Sequence, residues 1–145
     1  MGLVVDTSVL VGELLRRSGR ERLGDDRLEL FLPEQMWAEA QVELPRRILA
    51  FIRRRGLEPD LGKELAQLCL GAIETNVVVL DEAIYSALED EARARSLRDP
   101  ADWPVVASAL ALSAAIWTND NDFLGAGVAT WTTDTITAWL ARSRC

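Results

Sequence analysis

Histidine is absent from this chain of 145 residues. Catalytic Ser-His and Cys-His arrangements are therefore excluded, as is the imidazole that many protein zinc sites use. The chain also lacks a glycine-rich phosphate loop of the GxxxxGK[ST] or GxGxxG type. Any catalysis must therefore run mainly on carboxylates, which favour hard cations such as Mg²⁺ or Mn²⁺.

Cysteine is scarce, since the chain has only Cys69 and Cys145 and they lack metal-ligand spacing. Cys69 lies in an apolar helical pattern, which predicts a buried thiol. Such usage fits a reducing cytoplasm better than a disulfide framework. Asp6 interrupts the short apolar N-terminus, and no run approaches the ~20 apolar residues of a membrane span. We therefore expect a cytoplasmic protein with no signal peptide and no membrane contact.

Positive charge is in deficit, because the formal net charge is −7. This balance disfavours a nucleic-acid-binding protein, which normally neutralises phosphates with a basic surface. The arginines nevertheless fall into two groups, each of which is either a local anion-binding patch or a solvated helix face. The first group is Arg16, Arg17, Arg20 and Arg22, and the second is Arg46, Arg47, Arg53, Arg54 and Arg55.

Short apolar runs alternate with helical patterns along the whole chain. The runs at 2–5, 28–32, 77–80, 115–118 and 128–131 are predicted to be strands. Pro45 lies inside the helical pattern of 33–56, which predicts a kink or a break into two helices near Glu43–Leu44. The alternation predicts an α/β fold with a mainly parallel sheet, and the length predicts one domain over residues 1–145.

Five tryptophans are spread over the chain. Exposed tryptophans in a nucleic-acid-binding protein stack on bases, which is one interpretation of them. Apolar patterns around Trp37, Trp117 and Trp139 favour core packing instead. Among the tryptophans, Trp103, which follows Asp102 directly, is the one kept as a candidate for the rim of a site.

Four carboxylates are expected at one edge of the predicted sheet, where ligands of parallel sheets bind. Asp6 follows the first strand directly, and Asp120 follows the fourth strand by one residue. Glu39 lies in the helix after the second strand, and Asp102 opens the helix before the fourth. Each residue alone has a structural alternative as a helix cap, a turn residue or a surface charge.

Together, these four carboxylates predict a divalent metal site. Like charges a few ångströms apart are costly, and one carboxylate would normally take up a proton. A divalent cation removes that cost, lowers the pKa of bound water and orients a phosphodiester for in-line displacement. The set therefore favours a Mg²⁺ or Mn²⁺ centre.

Four segments of the chain resemble, in order and spacing, the four acidic motifs of PIN domains. They are VVDTSVL at 4–10, MWAEAQVEL at 36–44, DPADWPVVASALAL at 99–112 and IWTNDNDFL at 116–124. The resemblance spans nearly the whole chain. It implies a three-layer α/β/α PIN-like fold with a central, mainly parallel sheet.

The same resemblance assigns roles to individual residues. It makes Asp6, Glu39, Asp102 and Asp120 the catalytic, metal-binding residues. It adds Asp122 as an auxiliary ligand and Ser8 as a hydrogen-bonding neighbour of the metal.

Two of these assignments have close competitors. The family offset after Pro33 selects Glu39 over Glu43, which lies one turn further along the same helix. The spacing to Ala109 selects Asp102 over Asp99, and this leaves Asp99 as a turn residue. Asn121 stands where the family often has a basic residue.

The resemblance also implies an activity, namely Mg²⁺- or Mn²⁺-dependent cleavage of RNA. Many small bacterial PIN proteins are VapC-type toxins, which implies an RNA substrate, an antitoxin protein partner and a homodimer. One alternative is a catalytically inactive PIN-like module that binds RNA or protein, which the net acidity favours. Another is a phosphatase-like hydrolase with Asp6 as nucleophile. A second aspartate two residues on is missing, and Lys63 is the only lysine, so this option ranks last.

Overall fold

The computed structural model describes residues 1–142. Cys145 itself lies outside the described residues. Five strands are present: β1 (Gly2–Val5), β2 (Glu29–Pro33), β3 (Val77–Leu80), β4 (Ala115–Trp117) and β5 (Thr130–Trp131). They form one sheet in the order β3-β2-β1-β4-β5, and every pair is parallel. The five predicted strands and the parallel sheet are confirmed.

Helices fill the connections between the strands. They are α1 (Thr7–Leu14), α2 (Arg17–Leu23), α3 (Glu34–Arg55), α4 (Pro59–Asn76), α5 (Glu82–Tyr85), α6 (Glu89–Arg95), α7 (Trp103–Leu112) and α8 (Thr133–Arg142). Helix α7 packs on β1, β2 and β4, whereas α3 and α4 pack together and contact β2 and β3. This is the expected three-layer α/β/α architecture. Across residues 1–142, no helix is long and apolar enough to cross a membrane.

The central strands form the core of the sheet. Leu3, Val4 and Val5 of β1 are fully buried, as a parallel strand covered on both faces must be. Trp117 on β4 is also fully buried. Cys69 is buried on α4, and its thiol contacts the carbonyl oxygen of Leu14 at 3.4 Å. The predicted buried thiol is confirmed.

Helix α3 runs unbroken from Glu34 to Arg55, so a break into two helices near Glu43–Leu44 is wrong, and the predicted kink there stays a prediction. Proline lacks the N–H that would bond to the carbonyl four residues earlier, which weakens the helix there. However, Leu44, Ile48 and Ile52 bury the same face on both sides of the proline. Packing of that continuous apolar face holds the two halves as one helix, which ends at Gly56.

Trp103 belongs to the core rather than to the rim of a site, so that expectation is wrong. It is 4% exposed and lies against Tyr85, with the ring centroids 5.7 Å apart. As the first residue of α7, it faces inward because α5 and α6 pack on that helix. Trp117 is buried as expected, and Trp37 and Trp139 pack against the core with part of their surface exposed.

The first group of arginines is engaged within the protein. Arg16 and Arg22 both form ion pairs with Glu13, whose side chain is buried. Arg17 pairs with Glu21, and Arg20 donates a hydrogen bond to a backbone carbonyl. The second group is exposed along α3. Within residues 1–142 the second group forms no ion pair, so of the two groups it is the stronger candidate for an anion-binding surface.

Candidate functional site at the carboxyl ends of the strands

The strand order places the switch point of the sheet between β1 and β4. The chain builds β1, β2 and β3 toward one edge, then returns and continues from β1 toward the other edge with β4 and β5. Such a point leaves a crevice beyond the carboxyl ends of the two strands, where ligands of α/β sheets bind. Val5 pairs with Trp117, and the amide of Asp6 donates to the carbonyl of Trp117 at 2.9 Å. Asp6 and Thr118 therefore enter the crevice side by side.

Two hydroxyl groups hold the carboxylate of Asp6. Its Oδ2 accepts hydrogen bonds from Thr118 Oγ1 at 2.9 Å and from Ser8 Oγ at 3.1 Å. Burial raises the pKa of Asp6 above its ordinary value, the two hydroxyl bonds oppose that shift, and the charge of Asp120 adds to it. Ser8 thus lies where the sequence places it, next to Asp6.

Thr118 is a site residue that the sequence did not single out. Its hydroxyl donates to Asp6 and accepts a hydrogen bond from the amide of Asp120 at 3.0 Å. It is 2% exposed, although it is polar and lies at the end of a strand. A polar residue at the end of a strand, two residues before an aspartate, is the signal that could have found it.

Asp120 and Asp122 belong to a single turn after β4. The Oδ1 atom of Asp120 accepts a hydrogen bond from the amide of Asp122 at 2.9 Å. Asp120 thus has the turn role that its sequence context offers. The charge of Asp120 also raises the pKa of both Asp6 and Asp102, so its carboxylate interacts electrostatically with both of them.

Asp102 lies at the start of α7 and makes no capping hydrogen bond to that helix. Asp99 is the residue that caps the preceding turn, since its Oδ1 accepts a hydrogen bond from the amide of Ala101 at 3.1 Å. The pKa of Asp102 is raised to about 7, first by burial and then by the charges of other carboxylates. In decreasing order of effect, those carboxylates are Asp99, Asp6, Asp120 and Asp122.

Glu39 faces the same group of charges from α3. Burial raises the pKa of its carboxyl group, and the charges of Asp6, Glu43 and Asp99 raise it further. Glu39 thus interacts electrostatically with Asp6, and the charges of Asp6 and Asp120 act in turn on Asp102. Glu43 and Asp99, the two competitors, also lie near enough to act on the site.

The donor set fits a hard divalent cation, although it is not a preformed cage. Within residues 1–142, no three His, Cys, Asp or Glu side chains lie close enough together to hold a metal ion as they stand. Over the same residues, the charges that shift the pKa values of Glu39 and Asp102 are all negative. Oxygen ligands with this excess of negative charge are those that Mg²⁺ and Mn²⁺ prefer. A cation drawn between them would relieve the repulsion that raises their pKa values.

A groove lies elsewhere, between α3 and α4. Its volume is about 900 Å³, and its walls are mainly apolar, with Leu44, Ile48 and Ile52 on one side and Ala66 and Leu70 on the other. None of the four predicted acidic residues lines it. Because no carboxylate of the described residues lines the groove, the candidate chemistry belongs to the crevice at the sheet edge.

Comparison with known proteins identifies the family. A family model described as the PIN domain matches residues 4–141, so the chain belongs to the PIN-domain family. Among solved structures, the chain is similar to one described as FitAB bound to an IR36 DNA fragment. The two share 22% sequence identity with a TM-score of 0.56, over 91% of this chain and 94% of the other. At that identity the likeness supports the fold. Comparison with curated proteins gives no match.

Proposed function

We propose that this protein is a Mg²⁺- or Mn²⁺-dependent endoribonuclease that hydrolyses phosphodiester bonds of RNA. The observation that carries the proposal is the set of mutually repelling carboxylates at the switch point of a PIN-domain sheet. Asp102 has the largest pKa shift, because burial first and neighbouring carboxylates second raise its pKa to about 7. In this proposal the carboxylates lie near one another despite their mutual repulsion because they bind a cation.

The residues of the proposed site have two roles, namely binding the cation and orienting one of its ligands. Asp6, Glu39, Asp102 and Asp120 would hold the cation, and Asp122 would be an auxiliary ligand. Once bound, the cation would lower the pKa of a water molecule and stabilise negative charge on the phosphate. Ser8 and Thr118 fix the orientation of Asp6 by donating to its Oδ2. Removal of such hydrogen bonds to a metal ligand typically costs about 10–100-fold in metal affinity or activity.

RNA cleavage with purified protein tests this proposal. We expect cleavage of single-stranded RNA in Mn²⁺, loss of cleavage on chelation, and loss in Asp6→Asn and Asp102→Asn. Asp60→Asn is the matched control, because Asp60 is an exposed aspartate in the first turn of α4. Circular dichroism verifies that each variant is folded. Equal cleavage by all four proteins would show that the activity does not come from this site.

The alternative is a catalytically inactive PIN-like module that binds RNA or a protein partner. The net charge of −7 favours this alternative, because it opposes binding of a polyanion. Calorimetric titration with Mn²⁺ separates the two. Binding that disappears in Asp102→Asn supports the metal-dependent enzyme, and an absence of binding by the wild-type protein supports the inactive module.

We further propose that the chain is a single cytoplasmic domain that functions as the toxin of a toxin–antitoxin pair and forms a homodimer. Its membership of the PIN-domain family and its likeness to FitAB support this role. We expect its expression to arrest growth, and co-expression of a neighbouring small DNA-binding protein to relieve the arrest. Sedimentation analysis measures the oligomeric state. Unimpaired growth with active protein present would contradict the toxin role.

A further inference from the structure

Three arginines lie in or just after α6, and two of them are fully engaged. Arg93 forms an ion pair with Glu89, and its guanidinium lies 5.4 Å from the ring centroid of Trp103. Arg95 donates to the carbonyl of Ala126 at 3.0 Å and to Glu91 at 2.8 Å. Both guanidinium groups thus make contacts within hydrogen-bond distance, and each has a second partner within the protein.

The third arginine, Arg98, is engaged only loosely. Its Nη1 lies 3.8 Å from Oδ1 of Asp122, which is beyond hydrogen-bond distance. The side chains of Arg98 and Asp122 are 65% and 40% exposed, and exposed ion pairs contribute little to stability. Arg98 can therefore leave Asp122 at small cost, and its N–H donors are available to another anion.

The backbone on both sides of Arg98 is anchored. Ser96 is buried and donates from Oγ to the carbonyl of Ala92 at 2.8 Å. On the other side, Asp99 accepts hydrogen bonds from the amide of Ala101 through its side chain and from the amide of Asp102 through its carbonyl, each at 3.1 Å. A long cationic side chain thus starts from a fixed point four residues before Asp102.

The positive charge of Arg98 lies beside the negative charges of the proposed metal site. Among the ion pairs within residues 1–142, the contact from Arg98 to Asp122 is the one that reaches a carboxylate of the proposed metal site. An RNA strand that approaches such an acidic crevice needs a cationic partner beside the metal. A guanidinium group is suited to this, because its planar fork matches two phosphate oxygens.

We propose that Arg98 binds the RNA strand, with its guanidinium on a phosphate next to the metal-binding carboxylates. This inference rests on the proposed ribonuclease function and adds a substrate-binding residue to it. In the competing interpretation, Arg98 only positions Asp122. The two interpretations differ in whether RNA binding or metal binding suffers when the arginine is removed.

The test compares wild type, Arg98→Gln, Arg98→Lys and the control Arg17→Gln, whose arginine is exposed and pairs with Glu21 on α2. Cleavage of a short single-stranded RNA is measured in Mn²⁺ over a range of salt concentrations. We expect Arg98→Gln to lower kcat/KM about tenfold through KM, as fits one lost charged hydrogen-bonded contact. Its slope of log(kcat/KM) against log salt should be shallower by about 0.7, the value for one phosphate contact on a single strand.

Mn²⁺ affinity, measured by calorimetry, supplies a readout besides activity. We expect Arg98→Gln to bind Mn²⁺ at least as well as wild type, Arg98→Lys to recover part of kcat/KM, and Arg17→Gln to match wild type. Wild-type KM and salt slope in Arg98→Gln would overturn the inference while leaving the proposed function intact. Loss of Mn²⁺ affinity in proportion to activity would also overturn it, in favour of the positioning role. A wild-type protein that cleaves no RNA would overturn both.

Discussion

The hydroxyl of Thr118 donates a hydrogen bond to Oδ2 of Asp6 at 2.9 Å, joining residues 112 positions apart in sequence. The same hydroxyl accepts from the amide of Asp120 at 3.0 Å. One buried oxygen atom therefore links the acidic residue after β1 to the acidic turn after β4. The register of β1 against β4 aligns the first and fourth acidic motifs, and this oxygen then joins their side chain and backbone groups.

Replacing Thr118 tests that link. Thr118→Val keeps the branched shape but removes the hydroxyl, so Asp6 loses a bond that lowers its pKa. We expect the pKa of Asp6 to rise further and Mn²⁺ affinity to fall about tenfold, the usual range for a residue that orients a metal ligand. NMR titration and calorimetry measure the two effects. Thr118→Ser retains the hydroxyl and should remain close to wild type, whereas unchanged Mn²⁺ affinity in Thr118→Val would refute the coupling.

Stability of the metal-free protein should depend on pH through Asp102. Its pKa is raised from 3.8 to about 7, so the folded state holds a proton that the unfolded chain has already released between these values. The free energy of unfolding therefore falls as pH rises through this window. Asp6 and Glu39 act in the same direction because their pKa values are also raised.

Urea denaturation in the presence of a chelator measures this dependence. We expect the wild-type protein to be less stable at pH 8 than at pH 5, and Asp102→Asn to reduce the difference because the amide does not titrate. Asp60→Asn serves as the control for loss of an exposed aspartate. A wild-type stability that rises from pH 5 to pH 8 would contradict the raised pKa values.

Divalent cations should reverse the loss of stability at pH 8. A ligand that binds only the folded state stabilises it by about 2.7 kcal/mol at one hundred times its dissociation constant. We expect Mn²⁺ to raise the midpoint of urea unfolding in wild type and to have little effect in Asp102→Asn. Equal stabilisation of both proteins by Mn²⁺ would place the bound cation away from Asp102.

The sequence predicted the parts of this site that depend on strand ends. Asp6 and Asp120 follow apolar runs directly or by one residue, and parallel strands bring such positions to one edge. Asp99 was assigned as a turn residue from its place before Pro100, and it caps that turn. Strand periodicity and turn formation depend on residues close together in the chain, so both can be predicted from the sequence.

What the sequence could not predict depends on contacts between distant residues. The bond from Thr118 to Asp6 requires the register of β1 against β4. The inward position of Trp103 requires Tyr85 from α5, and the unbroken α3 requires partners for its apolar face on both sides of Pro45. Each of these features depends on tertiary contacts, which a local sequence pattern does not specify.

The packing of α1 against α2 gives a final prediction. A Cβ atom at Gly19 would lie 2.1 Å from the carbonyl oxygen of Glu13 and 2.6 Å from its Cα, so α2 must shift to accept any side chain. We expect Gly19→Ala to lower the free energy of unfolding by about 3 kcal/mol, the upper end for overpacked sites.

The control for Gly19→Ala is the same substitution at Gly71, an exposed position inside α4 with nothing within 4 Å of the added Cβ. There alanine only improves helix propensity, so Gly71→Ala should raise the free energy of unfolding by about 1 kcal/mol. Urea denaturation of both variants under identical conditions makes the comparison. One substitution thus gives effects of opposite sign at two helical glycines. If Gly19→Ala were as stable as Gly71→Ala, the close approach of α2 to the backbone of Glu13 would be wrong.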